Sequence, residues 1–225
     1  MVNHLTIGYR LLAISMNFLV TGTDTGVGKT FCGCGLVRAA RTTGIACTGM
    51  KPFCTGDRTD VDLLAAAGDH QTPDHLLNPV WLRPPLAPYA AAMLENRPID
   101  LSAVRQAYQE LSAKHDLVLV EGAGGLLVPI IRDYNFRDLA VDLGLAVILV
   151  AANRLGVINH TLLTAESIGR AGLRLALLIL NEVDPEPTLA SQTNPSILEE
   201  LLTVPIYSSP YQNSDFSGAL KFLRG

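Results

Sequence analysis

Nine residues, Gly22-Thr23-Asp24-Thr25-Gly26-Val27-Gly28-Lys29-Thr30, stand between a short apolar run ending at Val20 and a stretch of helix-like composition. They constrain the fold more than any other part of the chain. Glycines between a strand and a helix let several backbone N–H groups, with the positive end of the helix dipole, converge on a polyanion. A lysine followed by a hydroxyl residue adds an ammonium for terminal phosphates and an oxygen ligand for Mg²⁺. The segment reads as a phosphate cradle, with Gly26, Val27, Gly28, Lys29 and Thr30 as its nucleotide-binding residues. Gly22 and Gly28 enclose five residues where the common pattern has four, which narrows the reading to a subset with a longer loop.

Bulk properties remove several classes. With 225 residues, 48% hydrophobic and 17% charged, the chain suits one globular α/β domain. Seventeen Lys and Arg against twenty-one Asp and Glu give a net charge of −4, so no basic field exists for nucleic acid or an anionic membrane. The longest apolar stretches, 143–152 and 173–180, fall well short of the ~20 residues of a membrane span. Residues 1–15 hold too short an apolar core for a secretory signal and are expected to be a loose extension, with Met16 opening a single domain over 16–225. Cys32, Cys34, Cys47 and Cys54 match neither a metal knuckle nor a redox pair, which fits a reduced, cytoplasmic compartment.

Apolar runs alternate with amphipathic segments along the rest of the chain. Strands are expected at 17–21, 46–50, 117–121, 146–151 and 173–181. Helices are expected at 29–43, 101–114, 136–143, 159–171, around 196–203 and at 216–223, with a short apolar run at 204–207 and an irregular stretch from 51 to about 98. Near-continuous apolar strands imply a mostly parallel sheet covered on both faces, a three-layer α/β fold of the P-loop NTPase type. The interruptions at 57–62 and 83–88 fall where open α/β sheets place ligands.

Further chemistry follows the strands. Lys51-Pro52 ends the second strand and Thr55 follows within a turn, offering an ammonium and a hydroxyl at the mouth of the site, with a solvated strand-end lysine as the plainer alternative. Glu121-Gly122-Ala123-Gly124-Gly125 presents a carboxylate suited to Mg²⁺ and glycines that allow close backbone approach. Asn181 could read a nucleobase edge or cap a turn. Gly156-Val157-Ile158-Asn159 opens a helix able to seat a carboxylate, and His160 is best explained as a helix-start histidine bonded to a neighbouring loop. Trp81 suits the core or the rim.

Together these segments, from Thr21 to Thr30, Lys51-Pro52, Glu121 to Gly125 and Gly156 to His160, resemble the dethiobiotin synthetase family over about Met16 to Tyr207. The resemblance implies ATP-dependent closure of the ureido ring of dethiobiotin from 7,8-diaminononanoate and CO₂, with release of ADP and phosphate. It implies catalytic Lys51 and Lys29, and Mg²⁺ on Thr30, Glu121 and an acidic residue that fits Asp60 better than Asp62. Gly122, Ala123, Gly124, Asn181 and Glu182 would contact the nucleotide, with Pro205, Ile206 and Tyr207 closing over the base. Thr25 and Thr55 would bind the diamine, and Gly156, Val157, Ile158 and Asn159 would receive its carboxylate across a homodimer.

Two rivals share the loop. A dimeric partitioning or positioning ATPase usually carries a second lysine early in the loop, where Thr23 and Asp24 stand, and needs a basic or amphipathic surface. An amidating synthetase normally adds a glutaminase domain, for which the chain is too short.

Overall fold

The computed structural model describes residues 17–223, so the expected extension at 1–15 lies outside the described residues. The chain begins with β1 (Phe18–Gly22), passes through the glycine-rich turn into α1 (Lys29–Thr42) and returns to β2 (Cys47–Met50). β3 (Phe53–Thr55), α2 (Thr59–Ala67), α3 (Asp74–Leu77), β4 (Val80–Leu82) and α4 (Pro88–Leu94) follow. Next come α5 (Leu101–Lys114), β5 (Leu117–Gly125), β6 (Pro129–Ile131), β7 (Tyr134–Asn135) and α6 (Phe136–Asp142). The chain then alternates through β8 (Ala146–Ala152), α7 (Val157–Arg170), β9 (Leu175–Asn181), α8 (Leu189–Leu201), β10 (Ile206–Ser209) and α9 (Ser217–Leu223).

Six strands form one sheet in the order β10-β9-β8-β1-β5-β2, and every pairing in it is parallel. Alternate residues face opposite layers. Phe18, Val20, Ile148 and Val150 pack with Leu36 and Val37 of α1 and Leu220 of α9. Leu19, Val118, Val120 and Val147 pack with Val104 and Leu111 of α5 and Leu139 of α6. Leu149, Ala151, Leu178 and Leu180 pack with Val157 of α7 and Leu198 of α8. The strand order runs outward from β1 in both directions, which puts the end of β1 at the crevice where such sheets bind ligands.

Local chemistry sets the element ends. The Asp100 carboxylate accepts from the N–H groups of Ser102 and Ala103 and starts α5, while Asn135 and Asp138 form a capping box for α6. Three expectations change. The stretch from 51 to 98 is ordered into α2, α3, α4 and the parallel pair β3–β4, elements too short to leave a periodic trace. The glycines after Glu121 continue β5, with Gly125 opposite Gly22, so Glu121 lies within the strand rather than at its exit. α8 starts at Leu189 from a Thr188–Ser191 capping box and carries Pro195 in its interior, where a proline suggests a start near 196.

Phe216 packs edge-on against Phe31, with ring centroids 5.7 Å apart, and its ring fills the space beside Gly35. A methyl group at Gly35 would fall inside that ring. Gly35→Ala is expected to lower stability by about 1–3 kcal/mol through overpacking, measured by denaturant unfolding; an unchanged midpoint would show that α1 and α9 separate freely.

Candidate active site

The phosphate loop is held from below. Gly28 adopts φ 93° as the N-cap of α1, and Asn181 Nδ2, from the end of β9, donates to the Val27 carbonyl at 3.0 Å. A side chain at Gly28 would collide with that Asn181 amide. Left-handed backbone and close approach both require glycine here. Lys29 turns back over the loop, its ammonium donating to the Asp24 carbonyl at 3.0 Å. Burial, then the neighbouring Lys51 charge, holds the Lys29 pKa below the usual lysine range.

Beside the loop lies a compact charged cluster. Lys51 Nζ donates to Glu121 Oε1 at 2.5 Å, to Asp60 Oδ2 at 2.7 Å and to the Gly122 carbonyl at 3.3 Å. The Thr30 hydroxyl donates to the same Glu121 Oε1 at 2.7 Å. Burial opposes the Lys51 charge, but Glu121 and Asp60 outweigh it and raise the pKa, so the ammonium stays charged. Asp60 also suffers desolvation, which Lys51 more than offsets, leaving its pKa low. Glu121 Oε2 is buried and has no hydrogen-bond partner among the described residues. A threonine hydroxyl and two carboxylates are an all-oxygen donor set, the kind that suits a hard divalent cation.

One cavity of about 630 Å³ gathers Lys29, Thr30, Lys51 and Asp60, with Glu121 buried behind its wall. Its walls include Thr25, Gly26, Gly28, Lys29, Thr30, Lys51, Thr55, Asp60, Ala123 and Gly124. Asp62 is exposed and does not line it, so Asp60 is the acidic residue of this loop brought to the cluster. Sequence reasoning missed Cys54, whose thiol donates to the Asp57 carbonyl at 3.1 Å, together with Phe31 and Val128. Pro85, Leu86 and Ala87 also line the cavity, within the break at 83–88 that had marked a ligand loop. Trp81 is a rim residue, its indole N–H donating to the Gly56 carbonyl at 2.9 Å.

Other expected residues stand apart from this cavity. Asn181 keeps one buried amide oxygen, Oδ1, without a partner among the described residues, and Glu182 is engaged by Asn153 Nδ2 at 2.5 Å. In the β9–β10 register Ile206 lies opposite Leu178 and Ser209 opposite Asn181. Pro205, Ile206 and Tyr207 therefore sit below the rim, and Ser209, Pro210 and Tyr211 are level with or beyond Asn181. The apolar run at 204–207 ends before the strand does. Gly156, Val157, Ile158 and Asn159 open α7 outside this chain's cavity, with Gly156 at φ 94°. His160 is exposed, and its ring makes no hydrogen bond among the described residues, contrary to the expected loop contact.

A parallel sheet with a glycine loop after β1, buried lysines and an acidic residue on the neighbouring strand define a P-loop nucleotide-dependent enzyme. Comparisons agree. The model of a family described as "AAA domain" matches residues 16–210. The ATP-dependent dethiobiotin synthetase BioD of Akkermansia muciniphila is 45% identical over 200 residues, 89% of this chain and 94% of that protein. The protein of the same name from Nitrosospira multiformis is 41% identical over 95% of this chain and 98% of its own length. The chain belongs to the ATP-dependent dethiobiotin synthetase family, whose members are ligases, and the partitioning-ATPase alternative is not favoured. A cobyrinic acid a,c-diamide synthase from Mycobacterium smegmatis, solved with ADP and magnesium, shares the fold with TM-score 0.55 and 16% identity, covering 92% of this chain and 91% of that one. No helix of the described residues is long and apolar enough to cross a membrane.

Gly28→Ala is expected to weaken ADP binding at least about tenfold, ~1.4 kcal/mol, in calorimetric titration. Gly44→Ala is the control, because Gly44 also has positive φ but faces open space far from the loop; equal losses in both variants would remove the Asn181 clamp from the account.

Proposed function

We propose that the protein closes the ureido ring of dethiobiotin from 7,8-diaminononanoate and CO₂, driven by ATP, with release of ADP and phosphate. The observation that carries this reading is the shared cavity: the phosphate loop, Lys51 and Thr55 line one space, so a triphosphate and an amine substrate can meet there. An amine captures CO₂ and loses a proton, giving a carbamate. The carbamate oxygen attacks the γ-phosphorus as ADP leaves, and the second amine then displaces phosphate from the carbonyl carbon. Every stage gathers negative charge, and the protein's part is mainly to position the reactants and neutralise that charge.

Lys29 and Lys51 suit the second task because both ammonium groups are buried beside the loop, where electrostatic interactions are stronger than in water. Thr25 and Thr55 offer hydroxyls to the diamine or its carbamate, and Ala123 and Gly124 form a low wall that admits close approach. Thr30, Asp60 and Glu121 would hold Mg²⁺, which when bound supplies charge neutralisation at the β- and γ-phosphates. The free Asn181 Oδ1 suits a donor on a nucleobase, and the β10 register supports Ser209, Pro210 and Tyr211, rather than Pro205 to Tyr207, as the segment beside it.

The substrate carboxylate has a seat at the start of α7, where the N–H groups of Ile158 and Asn159 have no acceptor among the described residues. That seat is outside this chain's own cavity. Leu155, Leu163 and Leu189 are 88%, 57% and 79% exposed on and beside α7 and α8. Both features support a homodimer in which each α7 completes the partner's site. Four unpaired, buried thiols support a reducing, cytoplasmic setting.

ADP release is expected to require diaminononanoate and bicarbonate together, followed by coupled assay; release unaffected by the diamine would contradict the proposal. Asp60→Ala is expected to raise the Mg²⁺ concentration for half-maximal rate by about tenfold or more, with Asp62→Ala near wild type. The reverse order in the Mg²⁺ titration would move the metal contact to Asp62.

A further inference from the structure

A second buried polar assembly lies behind the phosphate loop. Pro195 sits inside α8, and a proline has no N–H to offer the carbonyl four residues earlier. That carbonyl, of Ser191, instead accepts from Asn153 Nδ2 at 2.8 Å. The same amide group donates to Glu182 Oε1, and Asn153 Oδ1 accepts from Asn194 Nδ2 at 2.9 Å. Asn194 also donates to the Arg154 carbonyl at 3.2 Å, which accepts in addition the N–H of Val157, the first residue of α7, at 3.1 Å.

The assembly reaches the phosphate loop as well. The Asn153 N–H donates to the Asn181 carbonyl at 2.9 Å, and Asn181 Nδ2 donates to the Val27 carbonyl. Hydrogen bonds thus run without a break from Val27, through Asn181, Asn153, Asn194 and Arg154, to the start of α7. Asn153, Asn181 and Asn194 are each 4% exposed, so water does not substitute readily for any of these partners.

We infer that Asn153, Asn194 and Pro195 are positioning residues that couple nucleotide binding at the phosphate loop to the placement of the α7 start. Nucleotide binding then raises the affinity for the diamine carboxylate received there, an inference that rests on the carboxylate seat proposed above. Filling the loop fixes Val27 and its clamp on Asn181. The vacated Ser191 carbonyl and the Asn194 amide prevent Asn153 from turning away, so the Arg154–Val157 turn is held in register with the loop.

Calorimetric titration of the full-length protein with diaminononanoate, with and without a non-hydrolysable ATP analogue and Mg²⁺, reads the coupling directly. Wild type is expected to bind the diamine about fivefold or more tightly with the analogue present. Asn194→Leu, which removes both donors, is expected to abolish that gain while each ligand alone binds within about twofold of wild type. Pro195→Ala supplies an N–H that competes for the Ser191 carbonyl and removes nothing from the core, so it carries the test if Asn194→Leu does not fold; it is expected to reduce the gain by half or more.

An undiminished gain in either folded variant overturns the inference, as does wild-type affinity that ignores the analogue. Ile158→Pro, which removes one of the two N–H groups of the seat in the first turn of α7, where proline is tolerated, separates the two levels. If it leaves diamine affinity unchanged, the carboxylate seat itself is wrong; if it weakens the diamine while the Asn194 and Pro195 variants keep the full gain, the seat stands and the coupling fails.

Discussion

Two ammonium groups, those of Lys29 and Lys51, are buried side by side at one rim of the sheet, and the site is organised around keeping them there. Lys29 loses proton affinity to burial and then to Lys51, whereas Lys51 gains it because Glu121 and Asp60 outweigh its burial. Removing one member of a buried ion pair such as Lys51–Glu121 generally costs about 3–5 kcal/mol, since its partner is left charged and dry. The cluster therefore fixes Glu121 within β5, Asp60 at the start of α2 and Thr30 at the start of α1 relative to one another. Three elements distant in sequence meet there before any ligand enters.

This arrangement separates what the fold provides from what the chemistry needs. A parallel sheet with a phosphate loop after β1 is shared with a diamide synthase of 16% identity, and likeness at that level concerns the fold alone. Lys51, Thr55 and the wall formed by Pro85, Leu86 and Ala87 line the same cavity as the loop. They come from the short elements between β2 and α5, a region that adds nothing to the main six-stranded sheet beyond β2. Its small parallel pair β3–β4 and the bonds from Asn78 to the Lys51 and Val80 carbonyls hold it against the rim.

Much of this was legible in the amino-acid order. The phosphate loop, Lys51, Thr55 and Glu121 could be read because each is a chemically distinct residue placed directly after or within an apolar run. Asp60 could be preferred over Asp62 but not separated from it until α2 turned one toward Lys51 and the other to solvent. The elements between 51 and 98 were hidden by their shortness. The end of β10 was hidden because the apolar run 204–207 stops while the strand continues through Ser208 and Ser209. Asn153 and Asn194 had no pattern to reveal them: 41 residues apart, they meet only through the packing of α8, which itself begins earlier than its proline suggests.

The central claim is that the carbamate, and not water, receives the γ-phosphoryl group within this single cavity. Oxygen-18 tracing tests it most directly. With ¹⁸O-labelled bicarbonate in ordinary water, and phosphate sampled in the first turnovers before the label exchanges, the account predicts that ¹⁸O from the carbamate oxygen appears in the released phosphate. Phosphate free of the label, formed together with dethiobiotin, would contradict it.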